Sequence, residues 1–492
     1  MNKDQVSRID KLFREVAEKG MSRRQMIQRA SVLGISASAL TVAFTQKAQL
    51  AVAQGEDNPL GVDPEAPLSV VIFAGGYGDA YAVNVNDNLY GQIYPNAEIT
   101  YATTQRPVDE YQAQIVDGNP PDIMDNSGAG MFDNVTLYND GLLADLTDLM
   151  EAPAYGQEGV TFADSLIPGT QTNGAYDGKQ HVLYYVLGIY GLWYNQAKFE
   201  EKGWEYPKTW DEMLTLCQTI KDDGEMYPFT YQGMYPYYIR AVFDQLVFKS
   251  GGWEAQLKLD NIQADAWTQP VVKQALEAMV ELYTNDYILP GTEGLSHTES
   301  QTAWVNGEAA MIPCGAWLEN EIGVDNFPEG FEMVVAPVPS LTADDALPFE
   351  AIQSAGDETF IVFADGANVQ GGKEWLRLLF SQEGAAFFSE ATRSLTVVQG
   401  AGEGLDLGTA FQSAQEAVAA AGPNTFISRW PTYYPDLAEA SETGIAEVMT
   451  ASKPVDDYIA EMQELTDQIR EDESVPKFEV TAPTGGEATP AS

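Results

Sequence analysis

The sequence predicts an α/β protein of at least two packed units, built around a mostly parallel sheet. Three observations carry this expectation. The chain has 492 residues, against the roughly 100 to 200 that one domain usually occupies. Hydrophobic residues make up 45% of it and aromatic residues 11%, enough to bury large cores and too much for a mainly disordered chain. Short apolar runs that end in Gly, Asn or Ser alternate with stretches of helical spacing, as expected of strands joined by crossover helices.

In chain order, residues 1–20 form a charged amphipathic extension, and residues 22–53 read as an export signal. Ser22-Arg23-Arg24-Gln25-Met26-Ile27 is a twin-arginine pattern, followed by an apolar stretch from Ala30 to Phe44 that is rich in Ser, Ala and Gly. Ala51-Val52-Ala53 fits the small-x-small cleavage rule. That apolar stretch is shorter than the roughly 20 residues a spanning helix needs, which favours a cleaved signal over an anchor. No cysteine stands near the cleavage site to carry a lipid.

Leu68 to Phe73 reads as a buried strand that turns at Gly75-Gly76, and a helix and a second strand, Glu98 to Thr103, follow. Asp122 to Asp125 reads as a third strand, stopping at Asn126-Ser127-Gly128. In such sheets the crevice beyond the strand ends is where ligands bind. Trp210 to Lys221 has helical spacing, with Pro207, Thr209 and Asp211 as start signals and Gly224 as a stop. Similar patterns recur at Pro270–Tyr283, Gly372–Phe380 and Ser381–Ala391, and the tail from Glu471 turns to Pro, Gly, Thr and Glu, a disordered composition.

Charge and composition exclude several functions. Acidic residues number 73 against 26 basic ones, a net charge of −47, so phosphate backbones and anionic lipid are repelled and nucleic acid is excluded as a partner. Residues 1–53 hold nine Lys/Arg and four Asp/Glu, so the remaining chain carries 17 basic and 69 acidic residues, or −52. Two cysteines, Cys217 and Cys314, and two histidines, His181 and His297, are too few for a disulfide framework, a Cys-rich or multi-histidine zinc site or a His-based relay. No metal site, cofactor or catalytic residue is expected. Gly75-Gly76-Tyr77-Gly78 lacks the spacing of a dinucleotide or phosphate loop and reads as a turn.

Four stretches carry a family resemblance. They are Gln114–Ile123 with Gly141–Leu149; Asp177-Gly-Lys179 through Gly191-Leu-Trp-Tyr-Asn195 with Pro207–Glu212; Ala303–Met311 with Cys314-Gly-Ala-Trp317; and Asp357–Val362 with the helices ending near Arg393. Together they resemble, in order over about 65–475, the extracellular solute-binding proteins of carbohydrate ABC importers, the large family that includes the maltose-binding proteins. Thr230–Arg240 and Ser250-Gly-Gly252 look most like the branch that binds N-acetylglucosamine and diacetylchitobiose.

The resemblance implies a two-lobed, type II periplasmic-binding-protein-like fold whose lobes close on ligand about a hinge. Lobe 1 is then expected at 66–187 plus 349–397 and lobe 2 at 188–348 plus 398–475, with 476–492 a disordered tail. Chain crossings are expected at Val186–Ile189, Ala336–Pro348 and Thr396–Gly400. It also implies a monomer, exported to the cell surface, the medium or the periplasm, that delivers a mono- or oligosaccharide to ABC permease subunits and is not an enzyme. A secreted glycoside hydrolase and a same-fold binder of a non-sugar solute are the competing readings.

A sugar ring presents an apolar face and a rim of hydroxyls, so its site needs aromatic platforms together with acids and amides. Trp317 matches the family's ligand-stacking tryptophan, with core burial as the competing reading. Tyr237 after Pro236, and Trp430 before Pro431, offer further platforms because aromatics next to proline are held on loops, with a core or lobe-interface role as the competing reading for each. Asp79, Asn126, Ser127 and Glu358 fall at expected strand ends facing the crevice, where each could instead cap a helix. Arg240 could reach a hydroxyl or acetamide, or simply pair with a carboxylate.

Overall fold

The computed structural model describes residues 58–128, 130–167, 170–171 and 174–482. The expected export signal, the 1–20 extension and residues 483–492 of the tail lie outside the described residues.

One large sheet organises the molecule. Its strands are β1 (Leu68–Phe73), β2 (Ile99–Thr104), β3 (Ile123–Asp125), β4 (Val182–Asn195), β5 (Tyr227–Phe229), β6 (Ala309–Gly315), β7 (Met333–Ala336), β8 (Ile352–Val362) and β9 (Thr425–Phe426). The order is β2-β1-β3-β8-β4-β6-β5, with β7 against β4 and β9 against β8. The first three strands pair in parallel, from Leu68↔Ile99 to Phe73↔Thr104 and at Val70↔Ile123. The sheet as a whole is mixed and not mostly parallel, because β4 and β8 run antiparallel to each other and to β3, β6 and β7.

β4 and β8 decide the architecture. β4 is 14 residues long; its first part pairs with β8 from Val182↔Ile361 to Tyr190↔Gln353, and its last part pairs with β6 from Tyr190↔Gly315 to Tyr194↔Met311. One strand is thus shared by a half built on β1, β2 and β3 and a half built on β5, β6 and β7. A second segment runs beside it: Thr396 bridges Val186, and the Val397 N–H donates to the Tyr185 carbonyl at 2.9 Å. The connection after β7 is pinned by Lys249, fully buried, whose Nζ donates to the carbonyls of Val338 and, at 2.7 Å, Phe349. Burial pushes the Lys249 ammonium down to about 7.

The helices follow local chemistry. In α1 (Trp210–Asp223), the Thr209 side chain accepts the Glu212 N–H while the Glu212 carboxylate accepts the Thr209 N–H, a reciprocal cap, and Gly224 closes the helix at φ 77°. Trp210, Met213, Leu216, Cys217 and Ile220 make its buried stripe, each contributing about 1.5–3 kcal/mol on burial. α2 (Tyr237–Asp260) breaks at Gly252, where φ 62° and ψ −163° suit only glycine. The helices expected at 270–283, 372–380 and 381–391 are Pro270–Thr284, Val369–Leu379 and Gln382–Thr392, the last capped by the Ser381 side chain. Both cysteines are buried free thiols. His181 is buried against the Ala144 carbonyl, and His297 lies 3.3 Å from Glu321.

Candidate functional site

Where β3, β8 and β4 meet, their side chains assemble a group that no local pattern in the sequence announces. Asp125, at the end of β3, is 1% exposed. It accepts from Ser127 Oγ at 2.6 Å and from the Tyr81 hydroxyl at 3.1 Å. Ser127 Oγ in turn accepts the Thr359 N–H at 2.9 Å, which ties β3 to β8.

On β8, Asp357 and Glu358 are half-buried, and Glu358 takes φ 51°, a left-handed conformation uncommon in any residue but glycine. The β4 ladder passes from Asp357↔Val186 to Thr359↔Tyr184 without a pair at 358. This kink, worth roughly 1–3 kcal/mol of strain, lets neighbouring carboxyls that an extended strand would send to opposite faces share one region. The Glu358 N–H donates to Asp357 Oδ1 at 2.9 Å. Gly188 supplies the room beneath, since a Cβ there would stand 3.1 Å from Asp357 Cβ.

Crowding and burial set the charge of this trio. Burial pushes Asp125 up to about 7 against the opposing hydrogen bonds of Ser127 and Tyr81. Glu358 is held well above the ordinary carboxylate range, first by burial and then by the charges of Asp125 and Asp357. Asp357 is raised by burial and partly relieved by the Glu358 N–H.

Aromatic rings gather where β4 meets β6. Trp317 caps α3 (Leu318–Ile322) and is half-buried; its ring meets Tyr190 edge-on at 5.2 Å and Tyr238 at 6.2 Å. The indole lies across Gly315, where a Cβ would come within 2.2 Å of the ring. Gly315→Ala is therefore expected to displace the Trp317 ring and weaken ligand affinity threefold or more without lowering the melting temperature by more than a few degrees; unchanged calorimetric affinity would separate the ring from binding. Gly76, in the turn after β1, packs close to Trp317, and the Asn320 side chain donates to the Gly76 carbonyl. With Arg393 and Glu319 at 3.1 Å, these contacts join the two halves in this conformation.

The eight residues singled out in the sequence fall into three groups. Trp317, Glu358 and Ser127 stand at the strand crossing. Tyr237 is half-buried nearby, stacked on Tyr238 at 4.1 Å, and Asp79, half-buried in the turn after β1, accepts the Tyr101 hydroxyl at 2.9 Å. The remaining three are engaged elsewhere.

Asn126 is fully buried, and its side chain closes the loop that follows by bonding Phe132 and Asn134, so no polar atom is left for a ligand. Trp430 takes the competing core position: it is fully buried against Trp267 at 5.3 Å, with the Arg240 guanidinium over its ring at 5.4 Å. Arg240 itself is bound to Asp244 at 3.0 Å and lies 3.6 Å from Glu442. Asp125, Asp357, Tyr81 and Tyr190 escaped notice, although Asp125 closes a recognised strand and Asp357 stands beside Glu358.

A separate recess of about 410 Å³ opens beyond the end of β4, among Lys198, Glu225, Trp304 and Phe331. Its lysine is already paired, with Glu201 at 3.0 Å and Glu225 at 3.3 Å.

Residues 74–386 match the family model of the bacterial extracellular solute-binding proteins, a span that runs from the turn after β1 through β8 and its acids. The chain belongs to that family. A diacetylchitobiose-binding protein of Streptomyces coelicolor, NgcE, is 33% identical over 427 residues, covering 86% of this chain and 89% of NgcE. A multiple sugar-binding protein of Streptococcus mutans is 26% identical over 133 residues, covering 26% of this chain and 31% of its own. Among solved structures, a chitin oligosaccharide binding protein superposes with TM-score 0.66 at 17% identity, over 82% of this chain and 99% of its own. RafE in complex with raffinose superposes with TM-score 0.65 at 18% identity and the same coverage. These solute-binding proteins share the two-lobed fold.

Proposed function

We propose that the protein is the substrate-binding component of a carbohydrate ABC importer, closing its lobes on an N-acetylglucosamine- or chitobiose-type sugar and presenting it to the permease subunits. The observation that carries this reading is the pairing, at the strand crossing, of a half-exposed tryptophan on one side with carboxyls on the other. A pyranose offers an apolar face to the first and hydroxyls to the second. The likeness to NgcE along most of both chains supports the choice of sugar.

On this reading lobe 1 comprises 66–187 with 349–397 and lobe 2 comprises 188–348 with 398–475. The twin-arginine pattern at Ser22–Ile27 directs the folded monomer out of the cytoplasm. On this reading the site captures and does not cleave, as befits a member of the solute-binding family.

Titration with chitobiose-type and malto-oligosaccharides is the test. A ligand at one hundred times its dissociation constant adds about 2.7 kcal/mol of stability, so the melting temperature is expected to rise with the chitobiose series and no reducing ends to appear. Released reducing ends would transfer the protein to the glycoside hydrolases; a flat response to every saccharide would remove sugars as its ligands.

A further inference from the structure

β5 and β6 run in parallel, paired at Tyr227↔Ala309 and Phe229↔Met311. The loop that leaves β5 therefore emerges at the same end of the sheet as the turn after β6 that carries Trp317, the end at which such sheets take their ligands. That loop, residues 230–236, runs into α2, whose Tyr238 meets the Trp317 ring.

The backbone of the loop is fixed along its length. The Thr230 N–H donates to the Met311 carbonyl at 3.1 Å, and the Thr230 hydroxyl meets that of Thr292 at 3.0 Å. Gln232 Nε2 donates to the Pro313 carbonyl at 2.8 Å. Gly233 presses on the neighbouring loop so closely that a Cβ there would stand 2.3 Å from the Thr292 carbonyl oxygen. The N–H groups of Met234 and Tyr235 donate to the carbonyls of Leu295 and Gln232 at 3.0 and 2.9 Å, and the Tyr235 carbonyl accepts the Tyr238 N–H at 3.2 Å.

Two apolar side chains stand out of this fixed backbone into solvent. Met234 is 59% exposed and Tyr235 40%, and among the described residues no other two exposed large hydrophobic side chains are adjacent in the chain. One such residue on a surface needs no explanation; a pair presented by a fully bonded loop is a preformed contact surface. It has a polar edge as well. His297, the first residue of the helix His297–Val305, sets its ring edge-on to Tyr235 at 5.1 Å. His297 Nε2 lies 3.3 Å from Glu321 Oε1, and the other oxygen of Glu321 accepts from the buried Gln301 amide at 2.6 Å. Glu321 belongs to α3, the helix that Trp317 caps. Tyr235, His297 and Glu321 thus form a row of contacts leading outward from the Trp317 turn.

A stable protein contact covers about 800 Å² on each partner, far more than two side chains offer. A sugar ring needs one aromatic face and a few polar groups beside it, and a chain of such rings meets the same need again one or more units along. We propose that the captured ligand is an oligosaccharide whose chain continues outward from the crossing, and that Tyr235, with Met234 and the His297–Glu321 pair, forms an outer subsite for a unit beyond those held at Trp317. This inference rests on the sugar-capture reading and narrows it to chains of three or more units.

Calorimetry with the β-1,4-linked N-acetylglucosamine oligomers of two, three and four units tests it. The longer oligomers are expected to bind roughly fivefold tighter than the dimer or better. In Tyr235→Ala that advantage is expected to fall below twofold while the dimer keeps its affinity, and Tyr235→Phe, which preserves the ring, retains the advantage. Melting temperatures of both unliganded variants should stay within a few degrees of the parent, because the side chain is exposed and the bonds that fix the loop are made by its backbone and by Thr230 and Gln232. Equal affinity for all three lengths would overturn the outer subsite while sugar capture stands. An advantage that survives Tyr235→Ala, or a variant that weakens every length alike, would overturn the assignment to this ring. Silence from every oligomer would overturn both readings together.

Discussion

Asp125→Asn is expected to make the unliganded protein more stable than its parent at pH 8, by up to roughly 4 kcal/mol, and to leave it nearly unchanged near pH 4. Folded, the Asp125 carboxyl is pushed up to about 7 by burial and by the charge of Asp357; unfolded, it titrates near 4. Its contribution to stability is therefore fully present below about pH 4 and is lost as pH rises through 7. An amide has no charge to desolvate, and it can still accept from Ser127 Oγ and meet the Tyr81 hydroxyl, the two partners Asp125 has now. Urea unfolding of both proteins between pH 4 and 8 measures the difference directly. A variant less stable than the parent at pH 8 would mean that the parent holds Asp125 ionised at little cost.

Trp317→Ala is expected to weaken sugar affinity at least tenfold, or about 1.4 kcal/mol, while far-UV spectra and cooperative melting persist. The ring is half-buried, so its loss opens no sealed core cavity, and the helix it precedes is only five residues long. What disappears is the flat apolar surface that Tyr190 and Tyr238 hold edge-on. Calorimetry with whichever saccharide raises the melting temperature provides the number, and unaltered affinity would take Trp317 out of the site.

The sequence was most legible where a structure is decided within a few residues. The strand at Leu68–Phe73 has the bounds its apolar run suggests, and the helix after Thr209 starts and stops on its own capping residues. The family words were legible too, and with them the two-lobed fold. Legibility ended where the answer depends on residues far apart in the chain. Asp125 and Asp357 are 232 positions apart and come together only because β3 and β8 are antiparallel neighbours at Asp125↔Phe360.

Local cues also misled. Pro431 suggested a loop that would display Trp430, but proline at the first turn is equally at home in a helix, and Trp430–Tyr433 is a short helix that drives the indole into the core. Asn126 stood at a strand end facing the crevice, yet its amide is spent on the turn it begins. Glu358 was expected at a strand end, whereas β8 runs from Ile352 to Val362, so it and Asp357 sit in mid-strand.

The hydrogen-bonded ladder between β4 and β8 also bears on how cargo leaves. Eight residue pairs, from Gln353↔Tyr190 to Ile361↔Val182, stitch this ribbon through the join between the lobes. A ribbon of that kind yields by twisting, each rung turning a little, and no rung has to break. Any turning of one half against the other about this ribbon therefore bends one continuous ladder of backbone hydrogen bonds.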